Sequence, residues 1–425
     1  MGVAGADGMG RGLHGMGHAL GAAHPLRPGG RPAGTGGTGR RGAVAGGITA
    51  DRAHGGRAAR RLECRFAPGV EAGPHALGGA GGSAAQWRDR GAAARTGDPA
   101  LRQAVAKHRR RHWGVTEDPA TQVMITTGAT EGIAATVLAF VRPGDEVVTV
   151  EPFYDSHAAT IALTGGRHVS VPVEAPDFLP DPARVADAIT DRTRLLIVNT
   201  PHNPTGAVYP RELLEELVAL CRSRGVLILS DEVYDHLVYE GEHVSLRSVA
   251  GAEDIALTVS SAGKAFAVTG WKVGWLTGPA ELVGAARAVK QFLTYSSGPA
   301  FQRALGAYLP TDDAERHLAG QRERYRDARD RLVAGLREAG LDPVVPAAGY
   351  FVVVDLAPWG VTDAAEAAVR WTREAGVTGI PVGALCRPDG GHLRSWLRLA
   401  FCKSPDAIDE AMRRLAEAAP RLRAA

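Results

Sequence analysis

Lysine, cysteine and long apolar runs are all scarce in this sequence. Its 425 residues contain five lysines, so arginine supplies 49 − 5 = 44 of the Lys and Arg side chains. The four cysteines, Cys64, Cys221, Cys386 and Cys402, have no CxxC or other metal-ligand spacing. This predicts reduced thiols in the cytoplasm and no cysteine-bound metal. No apolar run reaches the roughly eighteen residues that a membrane-spanning helix needs, and the N-terminus lacks a basic-then-apolar secretion signal.

Positive charge is concentrated in the first part of the chain. Residues 1–90 contain 12 arginines and 5 acidic residues, a net charge of +7. The remaining residues have 49 − 12 = 37 basic and 46 − 5 = 41 acidic side chains, a net charge of −4 that restores the overall +3. Because the larger part of the chain is slightly acidic, we predict neither a nucleic acid nor a membrane as a partner.

Residues 1–95 differ in composition from everything that follows. They contain about half of the chain's 54 glycines but only one isoleucine, one phenylalanine and no tyrosine. No periodic apolar face results, so neither helix nor strand is predicted. This Gly/Ala/Arg-rich segment is either a disordered tail or the product of reading a GC-rich gene out of frame. Both interpretations predict that proteases cut within Arg57–Arg65 or near Arg88–Arg95 and leave a stable fragment.

Beyond residue 95, short apolar runs alternate with helical patterns, which predicts an α/β fold with a mostly parallel central sheet and helices on both faces. Strands are predicted at Val123–Thr126, Glu146–Val150, Leu195–Asn199, Val226–Ser230, Ala256–Ser260 and Val273–Thr277. After about residue 300, long helices are predicted with strands at Tyr350–Asp355 and Trp396–Phe401. We therefore expect a large domain over residues 96–297 and a smaller α+β domain over residues 298–425.

Two of the five lysines lie eight residues apart in the segment SSAGKAFAVTGWKVGW, residues 260–275. Lys264 follows a predicted strand and the small residues Ser261, Ala262 and Gly263, which leave space for a cofactor beside the backbone. A lysine amine can be desolvated and form a Schiff base, whereas the guanidinium of arginine stays protonated. Taken alone, Lys264 is also compatible with an ordinary solvated lysine in a loop.

Three further motifs follow predicted strands. Residues 199–206, NTPHNPTG, indicate a rigid polar loop, and residues 230–234, SDEVY, place an acidic residue at the end of a buried strand. Residues 126–132, TTGATEG, open a helix whose free N–H groups suit a phosphate. Each motif alone is weak. Their order and spacing together predict one cofactor site at the carboxyl ends of the strands.

With these motifs, residues 96–420 resemble the pyridoxal-phosphate-dependent aminotransferases of fold type I, class I/II, and especially the kynurenine/methionine aminotransferase branch. Lysine at position 272, where many family members have arginine, also points to that branch. The resemblance implies pyridoxal 5'-phosphate (PLP) as the cofactor, a large cofactor domain with a smaller C-terminal domain, and a homodimer. It implies transamination of an L-amino acid with a 2-oxo acid acceptor.

The resemblance also implies roles for individual residues around the cofactor ring. Lys264 would hold the cofactor aldehyde as a Schiff base and later shuttle the substrate proton. Asp231 would pair with the pyridine nitrogen and keep it protonated. Asn203 and Tyr234 would hydrogen-bond the 3-oxygen of the ring, and Tyr154 would stack on the ring.

The phosphate of the cofactor would be held at the start of the helix that follows TTGATEG. The resemblance assigns this role to Gly128, to the backbone of Ala129 and Thr130, to the Ser261 hydroxyl and to the Lys272 ammonium.

The substrate would be held by residues from two subunits. Arg398, in SWLRLAFCK, would clamp the α-carboxylate together with Asn203. Tyr295, in KQFLTYSSGP, would reach the substrate pocket of the partner subunit. His157 and His202 receive no role, and no metal ligands are assigned.

The resemblance departs from the family pattern before Thr96. Neither a Gly-Phe-Pro-like substrate loop nor an Asn-Gln-Tyr segment is found there, so we expect weak cofactor binding or slow turnover. Two other functions stay open. β-Elimination at a C–S bond needs the same electron withdrawal by the cofactor, and a non-enzymatic PLP-sensing regulator would need a DNA-binding module in the first 95 residues. Those residues lack the helical periodicity of such a module.

Overall fold

The structure, a computed structural model, describes residues 95–388 and 391–423. Their strands form two sheets. In chain order the strands are β1 (Val123–Thr126), β2 (Glu146–Glu151), β3 (Arg167–Pro172), β4 (Thr193–Asn199), β5 (Leu227–Asp231), β6 (Ala256–Ser261), β7 (Gly274–Thr277), β8 (Pro343–Val344), β9 (Phe351–Asp355), β10 (Ile380–Pro381) and β11 (Trp396–Ala400).

Helices connect and cover these strands. In chain order they are α1 (Pro99–Trp113), α2 (Ala129–Phe140), α3 (Asp155–Leu163), α4 (Pro182–Ala188), α5 (Arg211–Arg224), α6 (Ala262–Ala265), α7 (Ala280–Leu293), α8 (Pro299–Tyr308), α9 (Asp312–Glu338), α10 (Ala364–Ala375) and α11 (Pro405–Leu422). Short 3-10 turns lie at Leu246–Ser248, Thr269–Trp271, Ala357–Trp359 and Val382–Leu385.

The central sheet has the strand order β1-β7-β6-β5-β4-β2-β3. The five strands β6, β5, β4, β2 and β3, in this order across the sheet, are all parallel to one another. Strand β7 runs antiparallel to both of its neighbours, β6 and β1. The predicted α/β class with a mostly parallel sheet is therefore confirmed. Because β7 is reversed, its first residue, Gly274, pairs with Ser261 and Thr126, the last residues of β6 and β1.

Both faces of this sheet are covered, as the near-continuous apolar strands predict. On one face, Leu195 and Ile197 of β4 share a buried cluster with residues of α2 and α7. On the other face, Leu196 and Val198 pack with residues of α5. Successive strand residues point to opposite faces, so a strand that is apolar at every position needs helices on both sides.

Local signals explain where the helices begin and end. The Asp98 side chain accepts hydrogen bonds from the backbone of Ala100 and Leu101 at the start of α1, and Pro99 takes the first helical position. The same helix ends at Gly114, whose φ of 67° lies in the left-handed region that glycine adopts at low cost.

The second sheet is antiparallel, with the strand order β10-β11-β9-β8. It packs against α9, α10 and α11 around a separate apolar core that includes Leu336, Val354, Trp371, Leu399 and Leu415. This is the smaller α+β part predicted from the sequence. The predicted division at residues 297 and 298 stays a prediction.

The predicted strands all lie within about two residues of strands in the structure, but β3 and the two-residue strands β8 and β10 were not predicted. The sequence of β3, Arg-His-Val-Ser-Val-Pro, is polar at several positions because this strand lies at one edge of the sheet and much of it is partly exposed. None of the helices in the described residues is apolar enough over a sufficient length to cross a bilayer. The atypical segment up to residue 94 lies outside the described residues, and the proteolysis expected there stays a prediction.

Candidate active site

Three neighbouring strands end at the residues that the motifs single out. The parallel strands β4, β5 and β6 end at Asn199, Asp231 and Ser261. The loop after β4 carries Asn203, and the short helix α6 after β6 carries Lys264. In open α/β sheets the carboxyl ends of the strands form the binding crevice, so these side chains belong to one site.

The carboxylate of Asp231 is buried, with 3% of the residue exposed. Its Oδ2 lies 3.3 Å from Nε2 of His157. The backbone oxygen of Asp231 accepts a hydrogen bond of 2.9 Å from Nδ2 of Asn199, whose Oδ1 accepts one of 2.8 Å from the backbone N–H of Asn203. Asn199 therefore ties the NTPHNPTG loop to the end of β5 and fixes Asn203 relative to Asp231.

His157 received no role from the sequence, and the structure brings it to Asp231. Tyr154 immediately precedes α3, and His157 is the third residue of that helix. The two rings are perpendicular, with centroids 5.6 Å apart. Residues three apart at a helix start lie on the same face, so the spacing of His157 from Tyr154 was the available signal.

The amine of Lys264 meets a residue from the other sheet. Its Nζ donates a hydrogen bond of 2.7 Å to the hydroxyl of Tyr350, directly before β9. Its backbone oxygen accepts a bond of 2.9 Å from the side chain of Gln321 on α9. The ring of Tyr350 is perpendicular to that of Tyr234 at 5.2 Å. Tyr350 was not predicted as a site residue, because nothing in the sequence places residue 350 next to residue 264.

Burial changes the acidity of two further predicted site residues. Tyr234 is buried, and burial together with the neighbouring Tyr350 raises the pKa of its phenol well above 10.0, so the phenol stays protonated and can donate a hydrogen bond. Burial lowers the pKa of the Arg398 guanidinium from 12.5, and the neighbouring Tyr234 and Tyr350 oppose that change. The structure thus keeps a neutral phenol near a cation.

Arg398 connects the two sheets at this site. It lies on β11, and its Nη1 donates a hydrogen bond of 3.0 Å to Oδ1 of Asn203. Its guanidinium carbon lies 4.1 Å from the centre of the Phe351 ring. A guanidinium held in this way on an aromatic face presents its remaining donors in a fixed direction, as binding of a planar carboxylate requires.

A second cluster of predicted residues lies at the start of α2. Gly128 precedes the helix with a φ of 74°, and no side chain caps the free N–H groups there. A Cβ added to Gly128 would lie 3.7 Å from Nζ of Lys272, so this ammonium lies beside the helix start. Ala129 is buried and Thr130 is exposed. The backbone N–H groups at the start of α2, rather than the Thr130 side chain, would therefore form the cradle for a phosphate.

The close approach at this cradle depends on Gly274. A Cβ at this position would lie 2.7 Å from the carbonyl carbon of Gly128, 2.8 Å from the nitrogen of Ala129 and 2.9 Å from the oxygen of Ser260. These are backbone atoms and cannot rotate away. Only glycine at the start of β7 allows α2 to begin so close to the sheet.

We expect Gly274→Ala to weaken binding of the cofactor by about tenfold or more, since overpacking of this kind typically costs about 1–3 kcal/mol. Fluorescence titration of cofactor-free protein with PLP measures the effect. Gly284→Ala on α7 is the matched control, because a Cβ there meets nothing within 4 Å. Equal affinity of the two variants would contradict the proposed position of the cradle.

Tyr295 differs from the other predicted residues because it lies on the surface. It is 46% exposed and has a φ of 61°, and the guanidinium of Arg95 lies 5.9 Å from the centre of its ring. Its backbone oxygen accepts a bond of 3.3 Å from Nζ of Lys290. A surface position is compatible with the expectation that Tyr295 serves the partner subunit.

The donor set fits a cofactor that has an aldehyde, a pyridine nitrogen and a phosphate. Lys264 supplies an amine for the aldehyde, and buried Asp231 supplies an anion for a protonated ring nitrogen. The uncapped start of α2 and the adjacent Lys272 supply donors for a phosphate. The residues present therefore fit PLP.

Comparisons with known proteins agree with this fit. The family model "Aminotransferase class I and II" matches residues 84–415, and so begins 96 − 84 = 12 residues before the start predicted from the motifs. The chain is 43% identical over 336 residues to a probable N-succinyldiaminopimelate aminotransferase of Mycobacterium tuberculosis, covering 76% of this chain and 84% of that protein. It is 36% identical over 322 residues to the methionine aminotransferase of Escherichia coli, covering 75% and 82% of the two chains.

Solved structures show the same similarity. The N-succinyldiaminopimelate aminotransferase structure from Mycobacterium tuberculosis has a TM-score of 0.74 at 42% identity, and 76% of this chain and 84% of that one are covered. A single-mutant aspartate aminotransferase structure from Thermus thermophilus has a TM-score of 0.71 at 37% identity, and 76% of this chain and 82% of that one are covered. These relatives are transaminases, and the comparisons give no support to a β-lyase or a regulator. The chain belongs to the class I and II aminotransferases and is an enzyme of PLP-dependent transamination.

Proposed function

We propose that Lys264 is the catalytic base of this transamination and the residue that holds the cofactor. The observation that carries the proposal is the position of the Lys264 amine. Lys264 follows β6, the strand that pairs with β5, and β5 ends at Asp231. The amine is hydrogen-bonded to the hydroxyl of Tyr350. When bound, PLP withdraws electrons from the Cα of the amino acid, so that its Cα–H bond becomes acidic. The Lys264 Nζ would take up this proton and return it at the adjacent carbon.

Tyr350 would orient the amine during this transfer. Its hydroxyl accepts a hydrogen bond from Nζ of Lys264. An amine that already has one partner has fewer rotamers available, and its lone pair can be directed toward the substrate once the amine is deprotonated. Tyr234, which burial keeps protonated, would donate a hydrogen bond to the 3-oxygen of the cofactor together with Asn203.

Asp231 would hold the proton on the pyridine nitrogen, and His157 would support it. The Asp231 carboxylate is buried, and a buried anion without a partner is costly. The contact of 3.3 Å from Nε2 of His157 supplies a partner on the side of α3. Tyr154 would stack on the ring, and Ser261, Lys272 and the start of α2 would hold the phosphate.

Arg398 would bind the α-carboxylate of both the amino acid and the 2-oxo acid. One Nη1–H is used by Asn203, and the other donors of the guanidinium are directed by the Phe351 ring. The two substrates share the carboxylate and differ at Cα. One clamp therefore serves both half-reactions, in which the amino group leaves the donor and is later passed to the acceptor.

A donor panel tests the reaction and the clamp together. The relatives are named for N-succinyldiaminopimelate, aspartate, prephenate, methionine and kynurenine, which sets the amino acids and oxo acids to offer. We expect formation of an oxo acid from at least one donor with 2-oxoglutarate or pyruvate as the acceptor. Ammonia and pyruvate released from a cysteine conjugate without an acceptor would instead indicate β-elimination.

We expect Arg398→Lys to raise the KM of the best donor by about tenfold or more, because a lysine ammonium cannot make the two parallel hydrogen bonds of a guanidinium. Steady-state kinetics with the donor panel measures the effect. The exposed Arg394→Lys, four residues earlier, is the control, since Arg394 pairs with Asp363 at the surface. An unchanged KM in Arg398→Lys would remove Arg398 from the substrate site.

We further propose that the enzyme is a homodimer. Support comes from exposed apolar side chains close together in sequence on α7, on α8 and between them, namely Phe292 (77% exposed), Leu293 (45%), Tyr295 (46%) and Phe301 (43%). Apolar residues grouped on a surface mark an interaction site. Sedimentation velocity on the full chain tests the assembly. The cytoplasmic location and the two-domain boundary stay predictions.

A further inference from the structure

Three histidines from two distant parts of the chain meet beside α1. His108 and His112 lie on α1, four residues apart, and His236 follows β5, five residues beyond Asp231. One ligand nitrogen from each ring lies within 4.8 Å of the others. The Nε2 atoms of His108 and His236 are 2.7 Å apart, and all three ring pairs have centroids 4.4–4.8 Å apart.

A carboxylate lies beside one member of the cluster, His112. Oε1 of Glu315, at the start of α9, lies 3.1 Å from Nε2 of His112 and 3.2 Å from Nη1 of Arg111. The cluster therefore joins three elements: α1, the segment after β5 and α9. Three imidazoles are a known ligand set for zinc, and two histidines four residues apart on a helix project from the same face.

We propose that His108, His112 and His236 bind a divalent transition-metal ion with the preferences of Zn²⁺, with the Glu315 carboxylate beside His112 as the neighbouring anion. Zn–N bonds of about 2.0–2.1 Å place tetrahedral ligand atoms about 3.3 Å apart. The nitrogens here are 2.7 Å apart for one pair and within 4.8 Å for the others, so small side-chain rotations bring them to that spacing. None of the four residues is among those proposed to hold PLP or the substrate.

His108 is the most buried member of the cluster, with 4% of the residue exposed, whereas His112 and His236 are partly buried. A metal ion at this place would take the free nitrogen lone pair of a neutral imidazole from each ring.

Occupation of this site would fasten α1 to the segment that carries Asp231 and Tyr234. Residues 232–236 follow directly from β5, and α1 precedes the first strand of the central sheet. An ion that binds the folded chain and not the unfolded one stabilises the folded chain by mass action. The site is thus expected to be a structural clip near the cofactor site rather than part of the reaction.

The test uses the full-length holoenzyme, dialysed against a chelator and then titrated with Zn²⁺. Zinc per chain is measured by mass spectrometry of the metal, affinity by competition with a chromogenic chelator, and melting by differential scanning fluorimetry. The variants are His112→Gln and the double variant His108→Gln/His236→Gln. His392→Gln, at an exposed histidine, is the matched control. Mg²⁺ is the comparison ion, because it prefers oxygen ligands to imidazole nitrogens.

We expect one Zn²⁺ per chain to be lost in both cluster variants and retained in His392→Gln, with affinity reduced by about tenfold or more. Zinc should raise the melting temperature of the unmodified enzyme and the control by about 2–5 °C, and Mg²⁺ should not. Residues 1–94 contain five further histidines, which could also bind zinc. The decisive result is therefore the difference in zinc binding between the cluster variants and the control, rather than zinc binding itself.

Equal zinc content and equal melting shifts in the cluster variants and the control would overturn the proposal, as would the absence of zinc binding by the unmodified enzyme at micromolar Zn²⁺. If the double variant does not fold, His112→Gln decides, because the His112 side chain is 20% exposed and its loss leaves the core of α1 in place.

Discussion

Replacing Lys264 with alanine is expected to lower the turnover of every amino donor by about 10³-fold or more. General base catalysis by a positioned side chain contributes about 10²–10⁴-fold, and the variant also loses the covalent attachment of the cofactor. The Tyr350 hydroxyl, which accepts a hydrogen bond from Nζ of Lys264, cannot replace an amine. The rate of oxo acid formation in a single turnover measures the loss.

Lys264→Arg should be as inactive as Lys264→Ala, because it keeps the charge but cannot form a Schiff base. Lys403→Ala, at an exposed lysine, is the control and should retain normal rates. Borohydride reduction of the unmodified holoenzyme followed by peptide mapping should find the cofactor mass on the peptide with Lys264. An adduct on Lys272 or on another lysine would contradict the assignment.

Asp231→Ala is expected to lower the single-turnover rate by more than about tenfold, which corresponds to about 1.4 kcal/mol of activation free energy. The carboxylate is buried next to His157, and its removal would take away the anion that is proposed to hold a proton on the pyridine nitrogen. Without that proton, the electron withdrawal that makes the Cα–H acidic is much weaker. The rate of the amino-donor half-reaction, followed in the visible absorption of the cofactor, is the measurement.

His157→Gln should cause a smaller loss than Asp231→Ala, since it removes a partner of the carboxylate and keeps the carboxylate itself. Asp254→Asn is the control, because Asp254 pairs with Arg222 at the surface. A loss of less than tenfold in Asp231→Ala would mean that another acidic residue fills the role.

Much of the central sheet could be predicted from the sequence because its signals are local. Buried strands such as Leu195–Asn199 are continuously apolar, and the residues at their ends are polar and come directly after them. The parallel arrangement then brings those ends together without further information. This is why the sequence indicated Asp231 and Lys264 as parts of one site.

Contacts between distant segments could not be predicted in this way. Tyr350 reaches Lys264 from the second sheet, and no local pattern encodes how the two sheets are placed. His236 contacts His108 and Glu315 contacts His112, although each pair is more than a hundred residues apart in the sequence. Only the four-residue spacing of His108 and His112 was visible in the sequence, and alone it is a weak signal.

The position of Arg398 on the Phe351 ring has a consequence for what the enzyme rejects. The guanidinium is already immobilised by the ring and by Asn203, so an arriving carboxylate does not have to freeze a side chain that otherwise carries about 2 kcal/mol of rotamer entropy. The same rigidity prevents the cation from turning toward water when the ligand lacks an anion. With Arg398 as the proposed carboxylate clamp, amino alcohols, amides and esters would leave a partly buried positive charge unpaired, and we expect the enzyme to reject these neutral derivatives before any bond is broken.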